Sequence, residues 1–318
     1  MSLHLRHISG ASAALIVGAI VAVGVAGPAS ADTITAYDSI PSSYSGAETS
    51  LGFGVTSTAE LGQHVELAGS SRTVETVSVG FTSWACESGI WNDGCQSTAG
   101  GSFDLPITLN VHAALPDSDV DGTLPGELLA TVTKVVAVPF RPSADPVACE
   151  GSAGWFFDTA AGECVPGVFF VESFDLSSLD VVLPDSVIVS VAFDAEADPG
   201  HSDALNVSLQ TDGPTVGTEP DPDNLFWNTT NASYYTDGGA GGVGILRSDS
   251  GWGESGLMVI AIDVTAPVVP APATPAAPVL AATGSDVLGS VGIAAALLLL
   301  GAAAIGMGLR RRAGAEHH

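Results

Sequence analysis

Ile107-Thr108-Leu109-Asn110-Val111-His112-Ala113 alternates apolar and polar residues with a period of two. A β-strand sends successive side chains to opposite faces, so this pattern is that of a strand buried on one side and wet on the other. The rhythm returns at Val77, Val79 and Phe81, at Val187, Val189, Val191 and Phe193, and at Leu205, Val207 and Leu209. It closes the series at Met258, Ile260, Ile262 and Val264, and Leu129 to Val138 is a further β-rich run. Clusters of Gly, Pro, Asp or Asn bound each run, and no segment keeps an apolar stripe at i, i+3, i+4. The expected fold is all-β: a single antiparallel β-sandwich, jelly-roll-like, over 32–265. No internal repeat is present, and no linker interrupts the series before 265.

The chain has 318 residues, 35 of them Asp or Glu against 8 Lys or Arg, for a formal net charge of −27. Nucleic acid is excluded as a partner held by a basic face, because too few cations exist to neutralise phosphates. Hydrophobic residues reach 46% and charged ones only 14%, yet the long apolar runs lie at the two ends rather than throughout. A polytopic membrane protein is therefore not expected.

At the first end, Arg6 stands between His4 and His7, and an apolar run follows from Ala11 to Ala26. Pro28 breaks it, and Ala29-Ser30-Ala31 precedes Asp32, the small-residue pattern that signal peptidase accepts. Residues 1–31 are expected to be a signal peptide, cut after Ala31. At the other end, Val287 to Leu309 is an apolar stretch long enough to span a bilayer, with Arg310, Arg311 and Arg312 directly after it. Positive-inside logic places the tail, 310–318, in the cytoplasm. A plain single-pass membrane surface protein would show the same two features.

Just before the span stands Leu280-Ala281-Ala282-Thr283-Gly284. The order of pentapeptide, apolar span and basic stop resembles the C-terminal sorting signal of Gram-positive, sortase-anchored cell-wall proteins. Ala281 stands where the LPxTG form has proline, as in the LAxTG variant. The resemblance implies that a sortase cysteine attacks the Thr283 carbonyl, releases everything from Gly284 onward, and passes Thr283 to peptidoglycan. It implies a location in the cell wall, with the membrane holding the chain before sorting, and it covers only the last stretch of sequence.

Between the two signals, setting aside Asp286, Glu316, Arg6 and the three terminal arginines leaves 33 acids against Arg72, Lys134, Arg141 and Arg247, a net charge of −29. Such a body stays soluble by self-repulsion. Residues 266–279 are rich in Pro and Ala, which favours extended polyproline II with no core. At about 3.1 Å per residue this linker reaches roughly 40 Å, enough to lift a folded part through the wall.

The four cysteines, Cys86, Cys95, Cys149 and Cys164, fit an oxidising compartment. Of the three connectivities, Cys86–Cys95 with Cys149–Cys164 is favoured, because each pair encloses a Gly-rich insertion between strand-like runs. Close C-x2-C pairs for zinc are absent. Asp117, Asp119 and Asp121, closed by Gly122, have the spacing of a calcium loop, but Leu128 occupies the position where an EF-hand needs Glu. Calcium is the one candidate cofactor, with an acidic hairpin turn as the alternative. Gly239 to Gly244 matches G-x-G-x-x-G without any βαβ unit around it, and no dinucleotide site is expected.

Phe226-Trp227-Asn228, Tyr234-Tyr235 and Trp252 place aromatics beside Asn, Thr and Asp, as sugar-binding faces do, and form the candidate ligand face. Rings that close one end of the sandwich are the competing account. Together with Pro125-Gly126-Glu127-Leu128-Leu129-Ala130, Phe226-Trp227-Asn228 also loosely resembles secreted bacterial β-sandwich domains of unknown function. Between the signals only His64, His112 and His201 could serve as an imidazole base, and none stands beside a G-x-S-x-G. The expected function is non-catalytic: a displayed module that is structural or binds a glycan or protein. A wall-anchored hydrolase such as a glycosidase is the alternative.

Overall fold

A computed structural model describes residues 32–117, 122–235, 243–252 and 256–266. The strands in chain order are β1 (Thr33–Asp38), β2 (Ser50–Gly52), β3 (Thr58–Glu66), β4 (Val74–Ser83), β5 (Ser88–Ile90), β6 (Asp93–Gln96), β7 (Ser102–Asp117) and β8 (Gly122–Pro139). They continue with β9 (Phe156–Asp158), β10 (Glu163–Val165), β11 (Val168–Asp175), β12 (Ser186–Ala192), β13 (Leu205–Gln210), β14 (Asn224–Thr229), β15 (Arg247–Ser250), β16 (Leu257–Met258) and β17 (Ile260–Thr265). A single helical turn, α1 (Phe53–Thr56), separates β2 from β3.

The protein is mostly β, and its strands pair antiparallel. One sheet runs β1-β17-β4-β13-β16, with β11 also on β4 and β2 on β13. A second runs β15-β14-β3-β12-β7-β8. The alternating segments fall on strands as their period requires. Val77, Val79 and Phe81 of β4 and Val187, Val189 and Val191 of β12 are buried in one hydrophobic cluster, which draws on both sheets.

Two strands are longer than their alternation indicated. β7 and β8 pair from Ser102↔Pro139 to Asp117↔Gly122, across irregular register at Val111 to Ala114. Ladder hydrogen bonding to each other carries both strands beyond the segments where apolar alternation is visible. β3 was hidden for another reason: Gln63 takes a core position, and its Oε1 accepts from Met258 N at 2.9 Å. A buried amide with a partner replaces the apolar residue that the pattern would call for.

The disulfides are Cys86–Cys95 and Cys149–Cys164, with Cα–Cα distances of 5.4 and 5.7 Å. Each closes a local loop, the first around the β5–β6 hairpin. Two disulfides are compatible with an exported protein. Among the described residues no helix is long and apolar enough to cross a membrane.

Candidate functional site

The five expected ligand-face aromatics do not form an exposed face. Phe226-Trp227-Asn228 is part of β14, which lies between β15 and β3. Trp227 is only 3% exposed, and its Nε1 donates to Thr58 Oγ1 at 2.6 Å. Phe226 is buried on the other side of the strand. The buried Tyr235 hydroxyl accepts from Thr229 N at 3.0 Å and donates to Trp227 O at 3.2 Å, while the Arg247 guanidinium covers its ring. Trp252 meets Trp227 edge-on at 5.1 Å between ring centroids and donates to Asp249. Only Tyr234 stays exposed, at 38%. Burial and internal partners therefore take Phe226, Trp227 and Tyr235 away from any ligand, and Trp227 and Tyr235 belong to the hydrophobic core.

Other expected sites lie at the limits of the described residues. Asp117 and Gly122 pair as the ends of β7 and β8, whereas Asp119 and Asp121 lie outside. Among the described residues no three His, Cys, Asp or Glu gather as a metal site. Ala29, Ala31, the pentapeptide Leu280 to Gly284 and the span 287–309 also lie outside. Asp32 is described, and its carbonyl accepts from Ala266 N at 2.6 Å.

A groove that no sequence motif announced surrounds α1. Phe53 anchors the turn from within, stacked on Phe193 with centroids 4.0 Å apart. Gly54 lets the turn rest on Ser202–Ala204, since a Cβ there would come within 2.8 Å of Asp203 Cβ. Ser57 ends the turn in the left-handed region, at φ 52°, a conformation uncommon for a residue with a side chain.

On one side of α1 lies a cleft of about 570 Å³ lined by Ser57, Thr108, Phe193, Asp194, Glu196 and Thr230 among others. On the other lies one of about 550 Å³ lined by Thr56, Trp84, Trp91, Glu196, Asp203 and Asn206 among others. Gly54 and Glu196 belong to both, so the clefts meet at the turn. Each has the size of a small-molecule site, roughly 300–1,000 Å³.

Trp84 and Trp91 meet at 5.2 Å between centroids with planes 55° apart. Trp84 follows β4 and lies against Gly167, where a Cβ would come within 2.4 Å of the indole. Trp91 is 41% exposed at the tip of the β5–β6 hairpin, which Cys86–Cys95 ties at its base. Arg141 braces that tip from beneath. Fully buried, it donates from Nη1 to Trp91 O at 3.1 Å and to Pro166 O at 2.7 Å, with its guanidinium over Phe156. Desolvation pulls its pKa down to about 10, which still leaves the group charged at neutral pH.

Two further polar clusters were not legible in the sequence. His64 stands 2.8 Å from Asp221 Oδ2 through Nδ1 and 2.6 Å from Ser186 Oγ through Nε2, the order of a base-activated hydroxyl. No local motif marks them, because 157 and 122 positions separate the partners. Nearby, Glu219 is pushed up to about 8, chiefly by burial, against the backbone N–H of Asp221, which favours the carboxylate. Burial and Glu219 together also raise the Tyr37 phenol.

No protein-family model matches this chain, and neither does any curated protein or solved structure.

Proposed function

We propose that this is a sortase-anchored cell-surface protein that displays a non-catalytic β-sandwich, jelly-roll-like, on the bacterial wall. Residues 1–31 export it and 266–279 form the stalk. Sortase recognises Leu280 to Gly284 and joins Thr283 to peptidoglycan, after 287–309 and the basic tail have held the chain at the membrane. The sandwich reading draws support from the single core to which both large sheets contribute.

The observation that carries the display reading is where the fold closes. β17 lies between β1 and β4, hydrogen-bonded on both edges, and Ala266 N is tied to Asp32 O directly before the Pro/Ala segment begins. The stalk thus continues from a strand that is hydrogen-bonded on both edges. Digestion of walls with a muralytic enzyme should release the protein with peptidoglycan fragments on Thr283. Complete release by detergent alone, with 284–318 still attached, would overturn anchoring.

The alternative, a wall-anchored hydrolase, is favoured by one observation, the Ser186–His64–Asp221 order. A fluorophosphonate probe that labels the protein and fails on Ser186→Ala would establish it and retire the non-catalytic reading.

A further inference from the structure

Building on the proposed display of a non-catalytic module at the cell surface, we propose that the groove around α1 binds a neutral oligosaccharide, with Trp91 and Trp84 as its stacking platform. Four observations converge on this ligand. The indoles present apolar ring surface in a cleft, and Trp91 is solvent-accessible at the tip of a hairpin that is braced rather than loose. Pyranose rings have apolar C–H faces that bury against such surface, and preorganised aromatics lose little entropy on binding.

The polar lining is of the kind that hydroxyls satisfy. Glu196 is exposed at the junction of the clefts, Asp203 and Asn206 line the cleft of the tryptophans, and Ser57, Thr108 and Thr230 line the other. Carboxylates accept from sugar hydroxyls, while hydroxyl and amide groups both donate and accept. Neither cleft is lined by Lys or Arg, and the chain carries a net charge of −27, so an anionic glycan is repelled. Finally, the clefts meet at Gly54 and Glu196 on either side of α1, which gives a path for a linear ligand of more than one ring. A small quaternary ammonium ion would use the tryptophans but leave the polar cleft of Thr108 and Thr230 without a role.

The test is a titration of the purified full-length chain, disulfides intact, against neutral and anionic oligosaccharides of one to five rings, a proline-rich peptide and choline. Neutral glycans should bind, with affinity rising from one ring to three. Trp91→Ala should weaken binding by about tenfold or more, as loss of an aromatic anchor does. The exposed Glu196→Gln provides a second reading independent of the hairpin and should weaken binding several-fold. Phe157→Ala, an exposed ring on β9 outside both clefts, should leave it unchanged. Absence of neutral-glycan binding, binding indifferent to both Trp91→Ala and Glu196→Gln, or binding confined to the peptide, to choline or to anionic glycans would each overturn the proposal. Release from the wall by muralytic digestion is scored separately, so failure of glycan binding and failure of anchoring are told apart.

Discussion

Replacing Trp227 by Ala tests whether the aromatic cluster closes the core. The indole is almost wholly buried, touches the rings of Tyr234, Tyr235 and Trp252, and donates to Thr58 Oγ1. Truncating a buried aromatic to Ala costs about 3–5 kcal/mol, from lost transfer energy and the cavity left behind. The lost hydrogen bond adds little, because Thr58 Oγ1 keeps its 2.8 Å contact with Thr56 Oγ1. At roughly 2–4 °C per kcal/mol for a folded body of this size, the melting temperature should fall by roughly 6–20 °C. Calorimetry of the oxidised protein measures it, with agreement of calorimetric and van't Hoff enthalpies as the check on two-state unfolding. Tyr234→Ala, at the exposed ring, should cost less than about 1 kcal/mol. A Trp227→Ala protein that melts within about 3 °C of the parent would refute the core assignment and return this ring to the surface.

Stability should also depend on pH through Glu219. Its pKa is raised from 4.5 to about 8, so across that window the folded protein keeps a proton that the unfolded chain has released, and stability falls as pH rises. Glu219→Gln should therefore gain melting temperature relative to the parent between about pH 5 and about pH 9; parallel pH profiles would contradict the burial of this carboxyl. Arg141→Met deprives Trp91 O and Pro166 O of their shared donor, at about 1–3 kcal/mol for each carbonyl left unpaired. Hydrogen exchange should then quicken selectively in β5–β6, and unchanged protection there would show that Arg141 does not brace the hairpin. Replacing Cys149 and Cys164 together by Ser opens a loop of sequence separation 15 and should cost about 3 kcal/mol in the chain-entropy model, read from the urea midpoint. An unshifted midpoint would mean that the unfolded chain is not constrained by this bridge.

The alternating runs by themselves determined the β class, because a period of two is a property of the strand alone and survives without knowledge of its partners. Val77 to Phe81, Ile107 to Ala113 and Val187 to Val191 all became strands with buried faces. The disulfide pairing was legible for a similar reason: nine and fifteen residues of separation make each bridge a local event. At β14 the sequence left two accounts open, a ligand face or rings that close the sandwich, because Leu225, Phe226 and Trp227 are buried on both faces and no alternation remains to choose between them. Whether an aromatic side chain closes a core or meets a ligand depends on which strands flank it, and that is decided by pairing over long separations. The groove is the same case in reverse. Trp84 and Trp91 were ordinary residues around a disulfide until the fold brought α1 from the fifties and Glu196, Asp203 and Asn206 from about a hundred positions onward to face them. Composition and period dictate what each segment can be; only the tertiary structure chooses its neighbours, because burial and hydrogen-bond partners are properties of pairs of segments and not of either one.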